Sequence, residues 1–250
     1  MLVGAQAIYF HTGDADVPIA SSTTDADLAL IPDQLGDTPL VEDAMRDAGF
    51  SLDLQAGGQP GAWLSPDGIP VELLVPRALD RGATRRSADL SPHARESARK
   101  VVGLEAAALD HTMETLSAID SDDPRSAELR IAGPAALMVA KLHKIGERAA
   151  ARDRLLNKDS HDLYRLLLHA PATSLAPRLS WLHDTALAGD VTKRALEYLR
   201  ELSGSEDAPI PQMAAEAESA IGGDPAVLAA RVWALAQDLL DALDLARDAR

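Results

Sequence analysis

The stretch Ser22-Thr23-Thr24-Asp25-Ala26-Asp27-Leu28-Ala29-Leu30-Ile31 decides how the rest of the chain is read. From Thr24 to Ile31 it alternates charge with hydrophobe and then turns apolar, as a strand entering a core does. Side chains two apart on a strand share a face, so Asp25 and Asp27 project together. Two parallel carboxylates repel unless a cation or a proton lies between them. A hard divalent ion, Mg²⁺ or Mn²⁺, takes oxygen ligands and suits the pair. Taken alone, an Asp-x-Asp pair is more often exposed strand charge than a site.

Working outward, Leu2 to Phe10 reads as a buried strand with Gly4 where something packs closely, and residues 11–22 as a loop. Pro39 to Phe50 reads as a helix, with Leu40, Ala44 and Ala48 at fourfold spacing and Gly49 as its stop. Residues 51–68 suggest short strands and turns around Trp63, followed by an apolar strand from Ile69 to Val75. That strand carries one acid, Glu72. A glutamate buried there needs a partner, and beside the first strand it supplies a third carboxylate. Residues 77–100 read as an Arg-rich loop and then a helix opening near Ser91-Pro92, while 101–120 fit strand or helix. Glu128 to Ile131 alternates as a strand, and Pro134 opens a helix reaching about residue 151. A helix follows over 158–169, and from about 174 onward the pattern is helix upon helix. The predicted class is α/β (α+β) with a mixed sheet over residues 1–132, then an all-helical half over 133–250.

On the helix after Pro134, Lys141, Lys144 and Arg148 fall at i, i+3 and i+7, a cationic stripe. Asp159 and Asp162 stand at i and i+3 on the helix that follows. The default reading of the stripe is a solvated face paired with Glu147 or Asp153. Arg81, Arg85 and Arg86 form a basic loop that suits phosphate or simply solubility. The seven histidines show no metal-binding spacing and read as structural or surface residues, and the three tryptophans read as packing residues.

Taken together, Gly4-Ala5, then Asp25-Ala26-Asp27, then Glu72 resemble the signature of the nucleotidyltransferase superfamily. There a small-residue pair precedes Asp-x-Asp on the next strand and a later third acid. Lys141, then Lys158-Asp159-Ser160-His161-Asp162-Leu163, is similar to the abortive-infection and toxin–antitoxin branch, whose lysine helix precedes an Arg-Asp-x-x-Asp-Leu helix. The resemblance covers roughly residues 2–168. It implies a nucleotidyltransferase fold and Asp25, Asp27 and Glu72 as metal ligands for Mg²⁺ or Mn²⁺. It also implies that Gly4, Ala5, Thr24, Lys144 and Arg148 lie at the nucleotide, with Lys141 on phosphate and Asp159 and Asp162 serving the site. The partners implied are an NTP, a tRNA or protein acceptor, and an antitoxin. Ala5 and Lys158 depart from the commoner residues at their positions. A helix normally precedes the glycine strand, whereas this sequence opens on the strand, the pattern of a shortened form or of a start placed too far downstream.

Composition limits the alternatives. Among 250 residues, 39 acids face 24 Lys plus Arg, for a net charge of −15, and there is no cysteine. Disulfide scaffolds, thiolate metal sites and Cys nucleophiles are excluded. Acidity argues against a generic nucleic-acid coat, and apolar runs broken by charge argue against a membrane span or signal peptide. A cytoplasmic protein is expected. Residues 1–75 hold 12 acids and one base, Arg46, whereas residues 76–200 hold 20 bases and 17 acids. Acids and bases thus lie in different thirds. The competing readings are a non-catalytic binding module of the same fold and a helical interaction protein with a decorative α/β cap.

Overall fold

The chain turns at Gly4. The computed structural model describes residues 1–13, 24–54, 57–82, 86–118, 120, 122–151, 157–219 and 223–248. Strand β1 is only Leu2–Val3, and α1 (Gly4–Thr12) starts at once, with Gly4 at φ +68°. This corrects the long strand expected over residues 2–10. Ala5, Gln6 and Ala7 favour helix, and buried Ala5, Ile8 and Thr12 recur at helical spacing. The expected loop over residues 11–22 lies outside the described residues from 14 on, and so do Ser22 and Thr23.

β2 (Ala26–Ala29) pairs antiparallel with β1, and parallel with β5 (Pro70–Pro76). Between them run α2 (Val41–Asp47), β3 (Ser51–Leu52) and β4 (Ala62–Leu64), much as the sequence suggested. After β5 come β6 (Arg99–Val101), β7 (His111–Ser117) and β8 (Ser126–Ala132). The eight strands form one mixed sheet in the order β3-β4-β5-β2-β1-β8-β7, with β6 on the far end of β5. Helices then fill the C-terminal half: α3 (Pro134–Ala151), α4 (Asn157–His169), α5 (Ala172–His183), α6 (Gly189–Leu202), α7 (Pro209–Ser219) and α8 (Pro225–Asp248). No helix among the described residues is long and apolar enough to cross a membrane.

The helix expected at Ser91-Pro92 does not form. Glu42, buried on α2, accepts the Ala94 N–H at 3.0 Å and the Ser97 hydroxyl at 2.9 Å. Ala88 N–H donates to Ala98 O at 3.0 Å, so long-range partners hold the segment. Residues 101–120, ambiguous in sequence, make a short 3₁₀ turn at Glu105–Ala108 and then β7.

Strand alternation sorts side chains into two cores. Val71, Leu73 and Val75 face a small cluster with Trp63, Val41 and Leu90. Ala29 and Leu74 face the opposite way, into a large cluster built by α1, α3, α4 and the later helices. Asp27 and Glu72 share the parity of Ala29 and Leu74, so they lie on the helix-covered face. Arg165 of α4, fully buried, ties α1 down by donating to Thr12 Oγ1 at 3.0 Å and Thr12 O at 2.8 Å. A cation at a helix C-terminus meets its unpaired carbonyls.

Candidate active site

Register brings the acids together. Val3 stands opposite Asp27 on β1 and β2, and Asp27 stands opposite Glu72 on β2 and β5. Gly4 follows Val3 directly, so the Asp27 carboxylate lies against its Cα. A Cβ built at Gly4 would come within 2.0 Å of Asp27 Oδ2. Glycine is thus required twice there, for its positive φ and for this approach. Asp25 precedes the strand instead of lying on it, yet still adds its charge to that of Asp27. Burial, then Glu72, then Asp25 push the Asp27 carboxyl up to about 6, against the opposing pull of Lys144 and Lys141. Glu72 has its own counter-ion, the Arg99 guanidinium reaching across from β6.

These acids line one side of a cleft of about 730 Å³. Across it runs the α3 stripe of Ala140, Lys141, Lys144, Glu147 and Arg148, with Lys158 and Asp159 of α4 beside it. The other side of α3 carries Met138, Val139, Leu142 and Ile145, all buried in the large core. Two signs of charge from distant parts of the sequence therefore face one cavity.

The stripe is organised by one carboxylate. Asp159 receives Lys141 Nζ at 3.0 Å, Lys144 Nζ at 3.3 Å and a closer contact from Arg148. Lys141 also donates to Asp162 at 2.6 Å. Burial disfavours the Lys141 charge, but Asp162 and Asp159 outweigh it and hold the ammonium above its ordinary value. Burial likewise pushes Asp159 up, and Lys141 and Lys144 more than reverse it, so its carboxyl titrates below the usual range. Lys141 was expected to touch phosphate, yet its side chain is 6 % exposed and held by two aspartates, whereas Lys144 is 47 % exposed. The stripe pairs with Asp159 and not with Glu147. Asp153, the other expected partner, lies outside the described residues.

Gly4, Asp25, Asp27, Glu72, Lys141, Lys144, Arg148 and Asp159 all border the cleft. Ala5, Thr24 and Asp162 do not; Ala5 is buried in α1, Thr24 is exposed, and Asp162 sits beneath Lys141. Arg81 lies elsewhere, paired with Asp33 at 3.1 Å, and Arg85 is outside the described residues. The sequence reading missed Arg77, Arg99 and Lys100, which also border the cleft. Lys100 is engaged by buried Asp80 at 2.5 Å, while Arg99 faces the acids. Their signal was present but hidden, because Arg99-Lys100 falls at the end of the segment read as a helix from Ser91-Pro92, and pairs with β5 as a strand instead. Three of the histidines make hydrogen bonds within the fold: His11 and His143 donate to Ala132 O and Val191 O at 2.8 Å, and His93 accepts the Val41 N–H.

Asp25 and Asp27 offer hard oxygen donors with excess negative charge, which fits a divalent cation. Glu72, opposite Asp27, is paired with Arg99. Among the described residues, no group of three His, Cys, Asp or Glu is placed to hold a metal ion as the side chains stand. No family profile, curated protein or solved structure matches the chain.

Proposed function

We propose that this protein is a metal-dependent nucleotidyltransferase that moves a nucleoside monophosphate from an NTP to a hydroxyl. The observation that carries the reading is Asp27 in register with Glu72 beside Gly4, facing the basic α3 stripe across one cleft. A polyanion that arrives with a divalent cation needs both signs of charge, and this cleft has both. Its volume is that of a small-molecule site.

When bound, Mg²⁺ supplies positive charge that polarises the acceptor hydroxyl and balances the departing pyrophosphate. Asp25 and Asp27 would hold it through their carboxylate oxygens. Gly4, with no Cβ, leaves room for the triphosphate at the turn, and Lys144 and Arg148 neutralise phosphate oxygens. The acceptor oxygen attacks the α-phosphorus, the bond to the β-phosphate breaks, and pyrophosphate leaves. Glu72, once released from Arg99, would take the hydroxyl proton. By the same resemblance the acceptor is a tRNA 3′ end or a protein hydroxyl, and the setting is that of a toxin with its antitoxin.

The Arg99–Glu72 pair favours a second reading, nucleotide binding without transfer, because it occupies the third acid. One experiment separates them. Purified protein is incubated with Mg²⁺, each of four α-labelled NTPs, tRNA and a cell extract. We expect label in RNA or protein, lost to background in the Asp25→Ala, Asp27→Ala double variant. Binding of nucleotide with no label transferred supports the second reading. Transfer that survives the double substitution overturns the site.

A further inference from the structure

Among the described residues the Arg99 guanidinium is held at one point. Its Nη2 donates to Glu72 Oε2, while its Nε is buried with no hydrogen-bond partner among the described residues. Nε–H and Nη2–H lie along the same edge of the guanidinium plane, the edge that grips two oxygens of a phosphate side by side. Glu72 therefore uses half of a fork built for a bidentate anion. A buried donor left without an acceptor is a standing cost that a second oxygen would remove. Both side chains are about three-quarters buried at the cleft wall, where water screens their attraction weakly.

We propose that Arg99 is an exchangeable counter-ion that passes from Glu72 to the substrate's phosphates. With the cleft free of anion, the guanidinium neutralises Glu72 and keeps it from a metal. When a triphosphate enters, both donors of the Arg99 edge move to phosphoryl oxygens, and Glu72 becomes a third oxygen ligand beside Asp25 and Asp27. Polyphosphate and divalent cation therefore bind cooperatively, and each raises the other's affinity by the same factor. This rests on the proposed nucleotidyltransferase reading. It adds that the third acid is withheld until substrate arrives, which suppresses metal loading of the empty enzyme.

The test needs no knowledge of base or acceptor, since inorganic tripolyphosphate and Mn²⁺ serve as probes. Mn²⁺ binding is followed by electron paramagnetic resonance, and tripolyphosphate binding in EDTA by calorimetry. In the wild type, tripolyphosphate tightens Mn²⁺ binding by about tenfold or more. Arg99→Gln binds Mn²⁺ about tenfold tighter than the wild type in the absence of anion, binds tripolyphosphate more weakly in EDTA, and loses the coupling. Glu72→Gln supplies the converse: with Arg99 freed, tripolyphosphate in EDTA binds more tightly than to the wild type. Circular dichroism melts establish that both variants fold, and should Arg99→Gln not fold, Arg99→Lys and Glu72→Gln decide the question. Arg99→Lys keeps the charge without the fork and is expected to weaken tripolyphosphate binding. Unchanged Mn²⁺ and tripolyphosphate affinities in these variants, with a wild type that binds both through Asp27, overturn the exchange and leave the nucleotidyltransferase reading standing. A wild type that binds neither probe overturns both.

Discussion

Asp27 carries a conflict between folding and use. Its carboxyl is pressed against Gly4, buried, and flanked by two further acids, which is why it titrates near 6 instead of its ordinary 3.8. The folded state therefore holds a proton that the unfolded chain has already released across that window. Stability contributed by this group is complete below 3.8 and declines as pH rises toward 6, after which the charged form is carried at a cost. Asp27→Asn removes the titration. In metal-free buffer it is expected to stabilise the fold by about 2–3 kcal/mol at about pH 8 and by almost nothing at about pH 3.5. Urea unfolding at the two pH values measures the difference. Equal effects at both would mean that the side chain is better solvated than its burial indicates. The same substitution is expected to abolish transfer, so stability and activity move in opposite directions at a single residue.

Between elements, the tie that matters is α3 to α4 through Lys141, Asp159 and Asp162. Its charges are complementary over a wide range. The Asp159 contribution is present above the ordinary 3.8 and lost as pH falls through its lowered value. The Lys141 contribution is present below 10.5 and lost as pH climbs through its raised value. Lys141→Ala leaves Asp162 without its ammonium, and Asp159 with only Lys144 and Arg148, and is expected to cost about 3–5 kcal/mol. Lys144→Ala, at a half-exposed side chain, is expected to cost no more than about 1 kcal/mol while weakening tripolyphosphate binding. Chemical denaturation of both variants checks this, and a Lys141→Ala protein as stable as Lys144→Ala would make the buried network unimportant. At this scale the sequence was legible wherever one pattern dominated. The apolar strand β5, the Pro134 start of α3, and the i, i+3, i+7 stripe all appear as read. It misled where a local pattern was overruled from afar. Leu2 to Phe10 is largely apolar, with Gln6 the exception, and only the close approach of Asp27 to Gly4 reveals why the strand stops at Val3. Ser91-Pro92 is a fair helix start, but Glu42 takes donors from that segment fifty residues away. The Arg99 partner of Glu72 needed the β5–β6 pairing, which no local pattern announces.

For the whole molecule, the net charge of −15 says little about the cleft, because folding sets acids from residues 25–72 opposite bases from residues 77–158. The large core runs from Val3 and Ile131 in the sheet through Leu137 and Leu163 to Leu243 in α8, so sheet and helices share one apolar interior. The smaller core around Trp63 is joined to it through β2 and β5. The two are therefore expected to unfold together. With Trp181→Phe and Trp233→Phe leaving Trp63 as the sole tryptophan, its fluorescence and the far-ultraviolet helix signal should give coincident melts. A Trp63 transition that runs several degrees ahead would mean that the small core opens independently. Asp159 adds one more consequence. By gathering Lys141, Lys144 and Arg148 onto its two oxygens, it is a built-in stand-in for a phosphate group. The loss of side-chain freedom that a triphosphate would otherwise impose on these long cations is already incurred when the chain folds. Under the proposed function, a triphosphate entering the cleft would meet cations already held by Asp159, and its selectivity would follow from how well its phosphate spacing matches their arrangement.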